Sequence, residues 1–385
     1  MIKGSAPLPV VVATLLSVAC ASGQIAPATT GGAPIVIGAV LPLTGEVAVF
    51  GASALNGMRL AVDEANAAGG ALGRPLELRA RDDKGDATEG AAAYRASIEI
   101  DGAIAIAGAV MSKISLAGAP ICQARGVPMV SPTSTNPRVT EVGDYIFRTA
   151  FIDPFQGTMA ATFALGTLGA RTAACVFARG NDYAEGVAET FRAAFTEGGG
   201  AIAAFESHEM GAYDFEDILV PIIETAPDLI FIADYYNDAA SVAAQARELG
   251  YRGRFVGIDG WDSPELVRMA GNALEGSFFV NHWHTEAASP ESLRFADAYR
   301  FRYGENPDLI AVCGYESARV IIEGLRSAGT VSGPALRDAI AATELVLPTG
   351  RFAFDAARNP VKSAAVIIIR NGRFEWFATV DPPRK

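Results

Sequence analysis

Short apolar runs alternate along this chain with longer stretches that are apolar on one face only. The runs 35–41, 76–80, 103–107, 127–130 and 145–149 are rich in aliphatic residues and read as strands. Ala-rich segments lie among them, and 56–68 and 88–100 read as helices. A second series follows, with strands at 173–177, 201–207, 228–233 and 254–258. In its helix over 185–196, Val187, Phe191 and Phe195 recur every four residues on one face. Further helices fall at 215–225, 239–249 and 264–269. Continuously apolar strands between amphipathic helices predict parallel sheets covered on both faces. Two such series predict two doubly wound α/β lobes.

The remainder is not a third domain of the same kind. It offers one strand at 277–280, helices at 291–303, 310–327 and 334–343, a strand at 350–354, and a final pair at 364–370 and 373–379. Asn371-Gly372 between the last two runs predicts a hairpin. Dividing this remainder between the two sheets is the economical solution. Lobe 1 then takes 34–150 and 281–348, and lobe 2 takes 151–280 and 349–380. The chain crosses near Ala150–Pro154, Gly276–His282 and Pro348–Gly350, giving a three-segment hinge with a cleft between the lobes.

The start of the chain points to export. Lys3 is the only charge before Glu46, and Leu8–Ala19 is an apolar stretch too short to span a bilayer. Residues 1–20 read as a signal peptide. Cleavage after Ala21 and lipidation of Cys20 within Leu16-Ser-Val-Ala-Cys20 are competing readings; the second has Ser17 where Leu is usual. Residues 21–33 are small and uncharged, as a flexible tether should be. The net charge is −12, and loss of Lys3 with residues 1–19 makes it −13. Such an acidic balance argues against nucleic acid and anionic membranes.

Cys122, Cys175 and Cys313 sit within apolar patterns at no metal-like spacing and read as buried thiols, with one disulfide as the alternative. His282-x-His284 puts two rings on one strand face but lacks a third ligand, so no metal and no cofactor is expected. Glycine-rich phosphate loops and a G-x-S-x-G elbow are both missing, which argues against an enzyme.

The candidate chemistry lies at strand ends. Ala105–Ser112 and Met129–Pro137 are apolar runs ending in hydroxyls, and they present Ser112, Ser131, Thr133, Ser134 and Thr135. Ligands of open α/β sheets bind outside the carboxyl ends of strands. Neutral donors beside a helix start suit a carboxylate and offer no reaction. Each feature also has a bland reading: Ser112 as a helix cap, Ser131–Thr135 as a turn, and Trp261 as packing.

Several stretches together resemble the leucine/isoleucine/valine-binding family of type I periplasmic binding proteins, the solute-binding subunits of bacterial ABC importers. They are Ile37–Gly45 with Phe50-Gly51, Asp82-Asp83, Ser131–Asn136, Phe147–Thr149, Tyr183–Gly186, Asp259–Pro264 and Gly314-Tyr315. The similarity runs from about Ile35 to Phe377. It implies that Ser112 holds a ligand carboxylate, that Thr135 contacts both the carboxylate and the ammonium, and that the Thr133 carbonyl and Asp259 receive the ammonium. Tyr183 and Tyr235 or Tyr236 would cover the ligand, with Phe50 lining the side-chain pocket and Trp261 beside it. Ser134 belongs to the same loop. The family's acid is commonly Glu where Asp259 stands, and Gly85 and Met111 occupy the places of its small disulfide. The implied function is capture of an amino acid, branched-chain or related, by a monomer that delivers it to an ABC permease. A sensor on the same scaffold, or a binder of an amide, urea or aromatic carboxylate, is the alternative.

Overall fold

The computed structural model describes Met1, residues 31–286 and residues 289–380. Cys20 and the expected leader lie outside the described residues. No described helix is long and apolar enough to cross a membrane.

The first lobe is built on β1 (Ile35–Leu41), β2 (Leu76–Asp82), β3 (Ala105–Gly108), β4 (Met129–Ser131) and β5 (Ile146–Arg148). These form a parallel sheet of order β2-β1-β3-β4-β5. All seven residues of β1 are buried, whereas edge strand β2 is mostly half-exposed. The second lobe contains β6 (Thr172–Arg179), β7 (Ala201–Glu209), β8 (Leu229–Ala233), β9 (Arg254–Gly257) and β10 (Phe278–Asn281). They pair in parallel in the order β7-β6-β8-β9-β10. Two short strands, β11 (Glu344–Leu347) and β12 (Gly350–Ala353), pair only with each other. The final hairpin, β13 (Ala364–Arg370) and β14 (Arg373–Val380), then adds antiparallel to β10 and extends the second sheet to seven strands.

The helices α1 (Ala48–Ala67), α2 (Ala87–Glu99), α3 (Ser112–Arg125) and the single turn α4 (Arg138–Glu141) connect the first sheet. α5 (Asp153–Gly166), α6 (Asp182–Glu197), α7 (Glu216–Glu224), α8 (Tyr236–Glu248) and α9 (Pro264–Ala270) connect the second. α10 (Pro290–Tyr303), α11 (Leu309–Ala328) and α12 (Gly333–Ala341) follow β10. α11 returns to the first lobe because it meets α1 at almost backbone distance. A Cβ at Gly57 would overlap the Ala311 carbonyl, and one at Gly314 would overlap Ala54. Only glycine permits that approach.

The chain therefore passes between sheets after β5, after β10 and after β12. The range 349–380, grouped in the second lobe from sequence, begins with β12, which belongs to neither large sheet. Just beyond it the Phe354 ring packs on Phe147 of β5, and Arg358 donates to the carbonyls of Thr140 and Ile146. Two further differences matter. α1 begins at Ala48, eight residues before the predicted start, and so includes Phe50. β11 was not anticipated, because Leu345, Val346 and Leu347 are all apolar and show no alternation in sequence, although Val346 is exposed and Leu347 buried.

Candidate functional site

Both sheets reverse strand order about one point: β1 and β3 in the first lobe, β6 and β8 in the second. A crevice opens there at the carboxyl ends of the strands. The two crevices face each other across a small, partly open cavity. Phe50, Val110, Ser112, Thr133 and Ile310 line it from the first lobe, and Tyr183, Tyr235, Asp259 and Gly260 from the second.

On the first side, Ser112 is the opening residue of α3, whose first N–H groups have no intrahelical acceptor. Its Oγ accepts the Asn136 N–H at 3.3 Å. The Thr133 hydroxyl donates to the Val110 carbonyl at 3.0 Å. The neighbouring hydroxyls have a different task. Ser131 and Ser134 both donate to the Ala109 carbonyl, at 2.8 and 3.1 Å, and Ser134 Oγ lies 2.7 Å from Ser115 Oγ. This web ties the loop after β4 to the loop after β3. Ser134 and Thr135 are buried but do not line the cavity.

On the second side, Asp259 begins a single 3₁₀ turn, Asp259–Trp261, after β9. Its Oδ1 accepts the Tyr183 hydroxyl at 2.6 Å, and its Oδ2 lies 2.8 Å from His282 Nε2. Gly260 N–H donates to the Tyr183 oxygen at 2.9 Å. The Tyr183 and Tyr235 rings stack with centroids 5.1 Å apart. Burial, reinforced by the Asp259 charge, pushes the Tyr183 phenol well above its ordinary range, so it stays a donor. Tyr235 and Tyr236 are not on a strand: Tyr235 caps α8 and Tyr236 is its first residue. Both rings meet Phe50 edge-on, at 6.0 and 5.1 Å, but only Tyr235 lines the cavity. The Tyr236 hydroxyl instead donates to the Glu46 carbonyl across the lobes at 2.9 Å. Trp261 is fully buried against Gly257 and Phe279 and does not reach the cavity. Helix α9 is capped by Ser263, not by Asp259 or Asp262.

Six of the ten residues singled out from sequence thus come together: Phe50, Ser112, Thr133, Tyr183, Tyr235 and Asp259. Val110, Gly260 and Ile310 join them unannounced. Val110 lies two residues before Ser112 and Gly260 follows Asp259, but Ile310 arrives on α11 with no local signal. His282 and His284 do not share a ligand position. His282 faces Asp259, while His284 Nε2 lies 3.3 Å from the Phe374 carbonyl.

The three cysteines of the described residues, Cys122, Cys175 and Cys313, are free and buried. His208, Asp234 and Asp238 each bring a possible metal-ligating atom within 4.8 Å of the others. Both His208 nitrogens face acceptors, however: Nδ1 lies 2.8 Å from the Glu209 carbonyl and Nε2 3.0 Å from Asp234 Oδ2. That is the geometry of an imidazolium ion pair. Burial opposes the charge, but Asp234 prevails and pushes the ring up to about 8.

A family model described as periplasmic binding protein matches residues 34–370. A leucine-, isoleucine-, valine-, threonine- and alanine-binding protein of Pseudomonas aeruginosa is 28% identical over 315 residues, covering 82% of this chain and 84% of its own. Among solved structures, the leucine-binding protein LivK of Thermotoga maritima superposes with a TM-score of 0.87 at 34% identity, over 90% of this chain and 99% of that one. LivJ of Streptococcus pneumoniae, a branched-chain amino acid transporter substrate-binding protein in complex with isoleucine, gives 0.86 at 30% identity, over 91% of this chain and 100% of that one.

Proposed function

Since the chain belongs to the periplasmic binding protein family, of the leucine/isoleucine/valine-binding type, we propose that it captures a small aliphatic amino acid between its lobes for an ABC importer. One observation carries this reading: Ser112, at the start of α3, and the Asp259 carboxylate line one cavity from opposite lobes. An amino acid is a zwitterion, and the two walls offer complementary groups. The carboxylate docks at the N-terminus of α3, where free N–H groups and the helix dipole favour an anion. The ammonium turns to Asp259. The aliphatic chain lies among Phe50, Val110 and Ile310, where burying a Leu-sized group contributes roughly 1.5–3 kcal/mol.

Closure is the functional step. A ligand that touches both walls binds the closed form better than the open one, and that difference shifts the population. Contacts between the lobes are available to hold the closed form. Asn136 Nδ2 donates to the Asp182 carbonyl at 2.7 Å, and Arg138 pairs with Asp182 at 2.8 Å. A membrane permease then reads the closed shape. The place of work is outside the cytoplasm, with Cys20 as the candidate lipid anchor.

Isothermal calorimetry on protein refolded to strip carried-over ligand tests this. Saturable heat with L-leucine, L-isoleucine or L-valine supports the reading. Binding of carboxylates lacking an amine, with no amino acid bound, would overturn the ligand class.

A further inference from the structure

His282 follows β10, at the second passage between the lobes, and Phe151 follows β5, at the first. The two meet in the interior. Their rings stack with centroids 3.5 Å apart and 18° between planes. The Phe151 backbone N–H donates to His282 Nδ1 at 3.4 Å. A nitrogen that accepts carries no proton, so the proton resides on Nε2, the atom 2.8 Å from Asp259 Oδ2. His282 therefore donates to Asp259. Burial pushes the ring down to about 4, outweighing Asp259, so it stays neutral near pH 7.

We propose that His282 is a positioning residue: it fixes the Asp259 carboxylate for the ligand ammonium and ties that carboxylate to two of the three interlobe connections. The proposal rests on the amino-acid reading above and deepens it. Asp259 has two oxygens, and they have different neighbours. Oδ1 is held by Tyr183, which lines the cavity; Oδ2 is held by His282, which does not. The ammonium approaches from the cavity and so meets the Tyr183 side. His282 holds the carboxylate from behind and prevents its rotation away. Without that donor, Oδ2 is a buried acceptor with no partner, and the carboxylate turns to seek one. Recognition of the amine then suffers more than recognition of the carboxylate, which docks on the other lobe.

That asymmetry gives the test. The affinities of L-leucine and 4-methylpentanoate, the same acid without its amine, are measured by calorimetry for the wild-type chain, H282Q and H282N. Gln reaches as far as Nε2 and keeps a donor for Asp259; Asn reaches only to the Phe151 N–H. The leucine preference is expected to stay within about threefold of wild type in H282Q and to fall about tenfold or more in H282N, the scale of one hydrogen bond to a charged group. Equal loss of both ligands in H282N, or an unchanged preference, overturns the role of His282 alone. A wild-type chain with no leucine preference overturns the amino-acid reading and this proposal with it. Nitrogen NMR of the labelled wild-type imidazole needs no variant: a ring protonated on Nε2 alone supports the proposal, and one protonated on Nδ1 overturns it.

Discussion

The Tyr183 hydroxyl donates to Asp259 Oδ1 over 2.6 Å, so the acid expected to meet the ligand already has a partner inside the cavity. An incoming ammonium shares or takes that oxygen. Asp259→Ala removes the acid and leaves the ammonium buried without a counter-charge. L-Leucine affinity is expected to fall by roughly 2–5 kcal/mol, as when a buried charge pair loses one member. Tyr183→Phe frees Oδ1 but also takes the acceptor from the Gly260 N–H, so a smaller loss than in Asp259→Ala, about 1–3 kcal/mol, is expected. Titration calorimetry on both variants decides. An unchanged affinity in Asp259→Ala would remove the ammonium from the proposed pose.

Gly57 and Gly314 set the spacing of α1 and α11. Gly57→Ala drives a methyl into the Ala311 carbonyl, an atom of a helix backbone that has no rotamer to yield. The helices must separate, and destabilisation of about 1–3 kcal/mol or more is expected. Gly102→Ala is the informative comparison. No atom lies within 4 Å of its Cβ, but its φ of +68° strains any side chain. Thermal melts should show Gly57→Ala as the larger loss; the reverse order would mean that α1 and α11 are not in contact.

This contact also shows where sequence reading stops. Both sheets and the terminal hairpin were legible because apolar strands of three to nine residues recur between amphipathic helices. The hydroxyl-rich end of β4 was legible as a site, but not which hydroxyls face the ligand. Thr133 lines the cavity while Ser134 turns into the Ala109 carbonyl, and adjacent loop residues give no periodic clue to that choice. Tyr235 and Tyr236 pose the same choice. The sequence left open which of the two covers the ligand; both stand at the start of a helix, and only Tyr235 lines the cavity. Ile310 was out of reach, since it enters the cavity only through the glycine contacts of α11. His282 was weighed as a metal ligand, because its true partner, Asp259, lies on another strand end.

His208 makes stability depend on pH in the alkaline direction. Its folded value is raised to about 8 from an ordinary 6.5, so the folded state binds the proton more tightly. The resulting stabilisation, up to about 2 kcal/mol, is complete below pH 6.5 and is lost as pH rises through 8. Asp238, pushed up to about 6 mainly by burial, titrates below this window. Urea denaturation at pH 6 and pH 9 should show the loss in the wild-type chain and a smaller one in His208→Gln. An equal loss in both would assign the dependence to other groups.

Asp262 and Asp308 link closure to protons. Asp262 follows β9 in the second lobe, and Asp308 caps α11 in the first. They are brought together where Asp262 Oδ2 accepts the Leu309 N–H at 3.0 Å. Burial and then the Asp308 charge push Asp262 up to about 7, and burial raises Asp308 as well. Opening the cleft is expected to hydrate and separate the two carboxyls, returning both toward the ordinary carboxylate range. The closed form therefore binds a proton that the open form releases near neutrality. If ligand binding closes the cleft, it takes up protons at pH 7, and affinity strengthens as pH falls from 8 toward 5, by at most about tenfold per unit for each proton. Calorimetry in phosphate and in Tris, whose ionisation heats differ, reads the proton number directly. Asp308→Asn removes the opposing charge and is expected to reduce both the uptake and the pH slope. Identical heats in the two buffers for the wild-type chain would show that the pair keeps its protonation through closure.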